Sequence, residues 1–397
     1  MKNSTLNTQH STFAAELHAE LADLDARGLR RTRRVLQSPQ TARVTVDGRE
    51  YLAFCSNDYL GLASHPKLAQ AAQEGCARYG VGAGASHLIL GHGTAHHALE
   101  EALARFVGLP RGLLFSTGYM ANIGVVTALV GRDDAIFADR LNHASLNDAC
   151  LLSRAAFKRY PHRDLGALEK LLSVTHARRK LVVTDAVFSM DGDIAPAPEL
   201  VALAERYDAW LLLDDAHGFG VLGNRGRGVL SHYGIDSARV IYMATLGKAA
   251  GVFGAFVAAQ AQVVETLVQR ARSYIYTTAT PPLLAHALLE SLRLIEAEQW
   301  RRDRLSQLIR LLKDRIAVRR WGLLPSETAI QPLVIGGNAE AVAVSERLAG
   351  RGLLVPAIRP PTVPQGTARL RISLSAAHTV DDVAQLVDAL NEIGKKA

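Results

Sequence analysis

The sequence predicts an α/β chain with a mostly parallel central sheet and a smaller α+β region after it. Three observations predict this. Between about Asn57 and Pro282, short apolar runs alternate with amphipathic stretches, the pattern of strands joined by crossover helices. Beyond Pro282 a long helical stretch rich in Leu and Arg, reaching to about Arg319, leads to a final group of short strands. The length of 397 residues suits two or three domains with large cores. The expected division is an N-terminal arm with a small sheet over 1–56, a large domain over 57–290 and a small domain over 291–397.

Taken in order, the polar start MKNSTLNTQHST lacks the apolar region of a secretory signal and reads as a frayed leader. Residues 13 to 35 read as a helix, with Leu17, Leu21 and Leu24 on one face and Arg30, Arg31, Arg33 and Arg34 at its end, where cations suit the helix dipole. The Arg group is either a solvated face or an anion site. The segment from Arg43 to Leu52 alternates about Asp47-Gly48 and predicts a hairpin. Strands are then expected at Gly112–Phe115, Ala135–Ala138, Lys180–Thr184, Trp210–Leu213, Val240–Met243 and Gly254–Ala258, each apolar enough to be buried on both faces. The last region offers strands at Ala329–Ile335, Leu353–Val355 and Leu370–Leu374, with a Pro-rich rigid loop over 357–371.

Composition narrows the function classes. Hydrophobic residues make up 48% and charged residues 21%, as in a folded enzyme. Cys55, Cys76 and Cys150 are far apart and odd in number, so neither disulfides nor a cysteine zinc site is indicated, and a cytoplasmic location is expected. No apolar run approaches the roughly 18 residues that span a bilayer, so no membrane partner is expected. The net charge of +7 permits nucleic acid, but the cations are scattered without interleaved aromatics, which argues against it. Gly80, Gly82 and Ala85 fit a dinucleotide fingerprint but follow a helical pattern, and Gly247-Lys248 lacks the flanking residues of a phosphate loop. His92 and His96 are spaced to share a helical face, without the Glu that metalloprotease chemistry requires, and no metal is expected. No G-x-S-x-G elbow occurs.

In open α/β sheets ligands sit beyond the carboxyl ends of the strands, and three polar groups fall there. Asp214 ends the run WLLLD, with His217 three residues on. A buried carboxylate there calls for a cationic partner. Lys248 follows the next run in a Gly-rich turn, where desolvation would lower its pKa as a carbonyl-bonding lysine needs. In GLLFSTGYMAN, a strand gives way through Gly118 and Tyr119 to a helix whose N–H groups can take a phosphate. Each feature alone is ordinary: a salt bridge, a surface lysine, a helix cap. Together they suit pyridoxal phosphate, with Asp for the pyridinium, Lys for the aldehyde and N–H groups for the phosphate.

The chain also resembles the α-oxoamine synthases, enzymes of the fold-type I (aspartate aminotransferase-like) pyridoxal-phosphate class. The likeness runs from about Arg31 to Leu390 through FCSNDYLGL, FSTGYMAN, ADRLNHASL, VFSMDGDIAP, LDDAHGFGVLG, TLGK and IRPPTVPQGTARLRISLSAAH, in order. The Ile-Arg-Pro-Pro-Thr-Val-Pro segment resembles the branch acting on a pimeloyl thioester, whereas the sister branches use glycine or serine. The resemblance implies that Lys248 bonds the cofactor and Asp214 faces its pyridine nitrogen. It puts His217 and Ser189 near the phenolic oxygen, and Thr245 with Gly118 and Tyr119 at the phosphate. It implies that His143 stacks over the ring, and that Arg31, Thr362 and Arg371 contact the substrate, with Arg30 and Arg33 as neighbours that could replace Arg31. Thr277 and Thr278 would reach the phosphate of a partner subunit, implying a homodimer. L-alanine and a pimeloyl thioester are the implied substrates, the acyl group arriving on coenzyme A or on an acyl carrier protein. Tyr119 stands where Phe is common, and His87 where many relatives have Arg.

Overall fold

The computed structural model describes residues 7–318 and 320–396. The central sheet has seven strands in the order Arg111–Phe115, Ala255–Ala259, Val240–Thr245, Ala209–Asp214, Lys180–Asp185, Ala135–Asp139 and Ala156–Tyr160. All neighbours are parallel, except that Ala255–Ala259 runs antiparallel to both strands beside it. Successive strand residues point to opposite faces. Leu211 and Leu213 accordingly enter one apolar core and Leu212 the other. Helices Thr94–Val107, Ala197–Arg206 and Pro282–Ala297 cover the first face through Leu99, Leu200 and Leu288. Gly118–Leu129, Ala144–Ser153 and Ala261–Arg270 cover the second through Val125, Leu146 and Val264. Burial on both faces is why six of these strands read as unbroken apolar runs. The seventh, Ala156–Tyr160, is an additional edge strand; it carries Lys158 and Arg159 and so lacks that signature.

The hairpin forms as expected, Arg43–Val46 pairing with Arg49–Ala53 through Asp47 and Gly48, both at positive φ, as a tight hairpin turn requires. Leu353–Leu354 joins it in parallel to make a three-stranded sheet. An antiparallel four-stranded sheet contains Gly322–Leu323, Ile330–Gly336, Ala368–Ser373 and Ala357–Ile358. Among the described residues, no helix is long and apolar enough to cross a membrane.

Two expectations need correction. The first helix is Asn7–Ala26, not 13–35. It starts inside the expected leader, of which residues 1–6 lie outside the described residues. It ends because Gly28 takes a left-handed φ of 61° while the N–H groups of Leu29 and Arg30 both turn back to Leu24 O. Arg30, Arg31, Arg33 and Arg34 therefore lie beyond the helix, where Arg30 pairs with Asp25 and Arg34 with Asp47. Leu17, Leu21 and Leu24 are exposed rather than packed. The second correction is that the stretch from Pro282 is two helices, Pro282–Ala297 and Trp300–Arg315. At the break, Glu298 and Gln299 accept from Arg301 and Arg302, whose buried guanidiniums also hold Leu60 O and Ile295 O. Arg319 lies outside the described residues.

The turn carrying Ser189 and Asp191 is anchored at both sides. Arg369 Nη1 donates to Asp191 at 2.7 Å. His162 lies between Asp139 and Asp193, with its two ring nitrogens 3.1 and 3.0 Å from their carboxylates. Burial alone would lower the imidazole pKa, but the two carboxylates outweigh it and hold it up at about 9, against an ordinary 6.5. A raised cationic pKa stabilises fully below the ordinary value, and that contribution disappears as pH rises through the folded one. Between these pH values the melting temperature of the parent should fall by about 2–4 °C more than that of His162→Gln. Parallel melting curves across this window would contradict the anchor.

Candidate active site

The residues Phe115, Asp139, Asp185, Asp214 and Thr245 end their strands along one edge of the sheet, and the polar network lies there. Lys248 sits three residues past the strand Val240–Thr245, its Nζ 2.8 Å from His217 Nε2. His217 Nδ1 meets the Tyr59 hydroxyl at 2.6 Å, and Arg371 Nη2 reaches the same hydroxyl at 3.4 Å. Polar contacts thus run from Arg371 to Lys248. Burial pushes the Lys248 amine down to about 8 against the opposing pull of Asp214 and Asp185. Its unprotonated, nucleophilic form is therefore accessible near neutral pH. Burial, reinforced by Lys248 and Arg371, also drives His217 well below the usual imidazole range.

Asp214 is buried at the end of its strand. Its Oδ1 accepts from Ala216 N at 3.0 Å and its Oδ2 from Asn122 Nδ2 at 2.8 Å. Asn122 also donates to Ser145 Oγ at 2.9 Å. His143 caps the helix Ala144–Ser153, its Nδ1 accepting from Ser145 N, while its own N–H donates to Asp185 at 2.7 Å. Burial lowers the His143 pKa, and burial beside Asp214 raises that of Asp185 well above the carboxylate range.

Arg371 is only 6% exposed. Its Nε donates to Ser189 O at 2.6 Å, and its Nη1 to Asn57 Oδ1 at 3.1 Å and Ser373 Oγ at 2.7 Å. Ser189 therefore enters through its carbonyl. Gly118 and Tyr119 open the helix Gly118–Leu129; the Thr117 hydroxyl accepts from Met120 N, and the N–H groups of Gly118 and Tyr119 are left to face an anion. A Cβ on Gly118 would lie 4.0 Å from the Cβ of Thr245, so this helix start borders the strand that leads to Lys248. The Tyr119 hydroxyl turns to Asp148, and Thr245 Oγ1 donates to Gly254 O at 3.1 Å.

Among the described residues, no hydrogen bond joins Arg31, Thr362, Thr277 or Thr278 to this network. Arg31, Thr362 and Thr278 are exposed, and Thr278 bridges Ser86. The structure adds Asn122, Tyr59, Asn57 and Asp185 to the residues singled out from sequence. Tyr59 and Asn57 stand in the matching segment FCSNDYLGL, and Asn122 lies four residues after Gly118, hence on the same helix face. Gly80 follows the helix Pro66–Tyr79, and His92 precedes the helix Thr94–Val107 rather than sharing a helical face with His96.

Among the described residues, the half-buried Lys248 and the buried Asp214 and Arg371 form no direct ion pair. Asp214 acts on Lys248 only through space, and charged groups set in a largely buried site without direct partners are costly, so their arrangement calls for a ligand that completes them. The donor set fits pyridoxal phosphate with an amino acid: a carboxylate for a pyridinium, an amine for an aldehyde, a helix start for a phosphate and a guanidinium for a substrate carboxylate. Fold and site together define a fold-type I pyridoxal-phosphate enzyme.

Residues 49–390 match the family model described as aminotransferase class I and II. The chain is 69% identical over 369 residues to an 8-amino-7-oxononanoate synthase of Nitrosospira multiformis, covering 93% of each chain. To that of Nitrosomonas europaea it is 66% identical over 384 residues, covering 96% of this chain and 99% of the relative. A serine palmitoyltransferase variant from S. paucimobilis, solved with a bound PLP–myriocin aldimine, superposes with a TM-score of 0.90 at 29% identity over 99% of both chains. The chain belongs to the class I and II aminotransferase family and, within it, to the 8-amino-7-oxononanoate synthases.

Proposed function

We propose that this site carries out the decarboxylative condensation of L-alanine with a pimeloyl thioester, yielding 8-amino-7-oxononanoate, CO2 and the free thiol, the biotin-pathway reaction of its family. The observation that carries the reading is the placement of Lys248 and Arg371, joined through His217 and Tyr59, with the buried Asp214 beside them, none of the three in a direct ion pair among the described residues. When bound, pyridoxal phosphate supplies an aldehyde that takes the substrate nitrogen and a ring that accepts the electrons of the substrate carbanion. Lys248, Asp214, His217, Ser189 and Thr245, with the helix start at Gly118 and Tyr119, would hold it.

The residues then divide the work. Lys248, with its lowered pKa, takes the α-proton of alanine and returns a proton to the product. Asp214, fixed by Asn122 and the Ala216 N–H, keeps a positive N–H in place opposite it. His143 covers the reacting carbon. Arg371 anchors the alanine carboxylate, because a planar guanidinium held through Nε and Nη1 leaves its Nη2 to donate to it. We assign the large domain to about 57–290 and the small one to 291–397, Arg371 from the second serving the site of the first. The experiment that tests the anchor is Arg371→Lys: KM for L-alanine should rise about 10- to 100-fold, with KM for the acyl thioester little changed. Equal rises in both would contradict it.

Thr277 and Thr278 act across a homodimer in this reading. The exposed side chains of Leu88, Ile89, Leu90 and Tyr276 near them support a second copy covering this face. Thr362, with Arg31 or an adjacent arginine, would meet the acyl chain or its carboxylate. The acyl group arrives on an acidic carrier protein, and the exposed Arg31 and Arg33 favour its approach, whereas Arg34 is occupied by Asp47. Arg31→Glu with Arg33→Glu should raise KM about tenfold for carrier-linked donor and less for the coenzyme A thioester. An unchanged KM for carrier-linked donor would remove the carrier.

A further inference from the structure

A cavity of about 860 Å³ lies apart from the network around Lys248, beside the helix Thr94–Val107. His92, His97 and Glu100 face it, and the assigned chemistry uses none of them. One ligand atom from each lies within 4.8 Å of the other two. His97 and Glu100 are three residues apart on one helix and share a face. His92 joins them from the turn before that helix. Its Nε2 stands 3.9 Å from Glu100 Oε2, too far for a hydrogen bond. Two ligands of one tetrahedral ion, each about 2.0–2.2 Å from it, are roughly 3.3 Å apart, so a small closure of the side chains would seat an ion.

The groups behind the cluster point the same way. His92 Nδ1 is 3.1 Å from His87 Nδ1, a contact that orients the ring and turns Nε2 toward the cluster. Glu100 Oε1 accepts from Leu114 N at 2.8 Å, leaving Oε2 as the free ligand atom. Such fixing of a ligand's far side is what binding sites for transition metals use. We infer that His92, His97 and Glu100 form a second, metal-binding site for a divalent ion of the zinc type, with its fourth position open to the cavity. Two imidazoles and one carboxylate suit zinc, cobalt or nickel rather than magnesium or calcium.

The test uses the chelator-treated holoenzyme, titrated with Zn2+ by calorimetry and with Co2+ by visible absorption. One ion per chain should bind, with the intense absorption of four-coordinate Co2+. Exposed His97→Ala, and Glu100→Gln, which keeps the acceptor for Leu114 N, should each weaken binding about 100-fold while condensation without added metal is unchanged. His286→Ala, a histidine outside the cluster, should bind as the parent does. Equal affinity in the parent, His97→Ala and Glu100→Gln, or no binding by the parent, would overturn the site.

Discussion

Replacing Lys248 with Ala is expected to lower turnover by at least about 10⁴-fold and to remove the visible absorbance that the bound cofactor owes to its link with the lysine. The size of the effect follows from the double use of one amine, as the group bonded to the cofactor and as the base at the substrate carbon. Folding should persist, because among the described residues the Lys248 amine has one side-chain hydrogen bond, to His217, and pays for its burial with a pKa lowered to about 8. Turnover, the absorption spectrum and melting temperature measured on one preparation separate loss of chemistry from loss of fold. Multiple turnovers at near-parent rate would contradict the role given to this lysine.

Asp214→Asn is expected to cost about 10³-fold in kcat, about 4 kcal/mol of transition-state stabilisation. The substitution keeps the shape and leaves one oxygen to accept from Ala216 N or Asn122, but removes the charge that sustains a positive N–H against it. Cofactor content and kcat, measured together, check this. A loss under tenfold with full cofactor occupancy would show that the charge is not used. Asn122→Ala should give a smaller loss in the same direction, since Asn122 positions the carboxylate.

The parts of the site legible in sequence are those that chain order itself places at strand ends. Asp214 and Lys248 each follow an apolar run that only a buried strand explains, and the rule for open α/β sheets then puts both on one edge. Neighbouring groups were less legible because their partners are distant in sequence. Asn122 reads as one more residue of a buried helix until its contact with Asp214, 92 residues away, is seen. Tyr59 meets His217 across 158 residues, and Arg371 meets Asn57 across 314. The end of the first helix is hidden in the sequence for a local reason: a run of arginines has good helix propensity, but Gly28 in the left-handed conformation stops the helix before them. The edge strand Ala156–Tyr160 lacks a sequence signature because half-exposed strands carry charges where buried ones do not.

The measurement that bears most directly on the central claim is product analysis by mass spectrometry with the purified holoenzyme. L-alanine would be offered with a pimeloyl thioester, and glycine with acetyl-CoA, under the same conditions. The account predicts 8-amino-7-oxononanoate and CO2 in equal amounts from the first pair, at a rate at least about 100-fold above condensation of the second. Preferential condensation of glycine with acetyl-CoA, or no condensation of alanine by protein carrying its full cofactor, would contradict it.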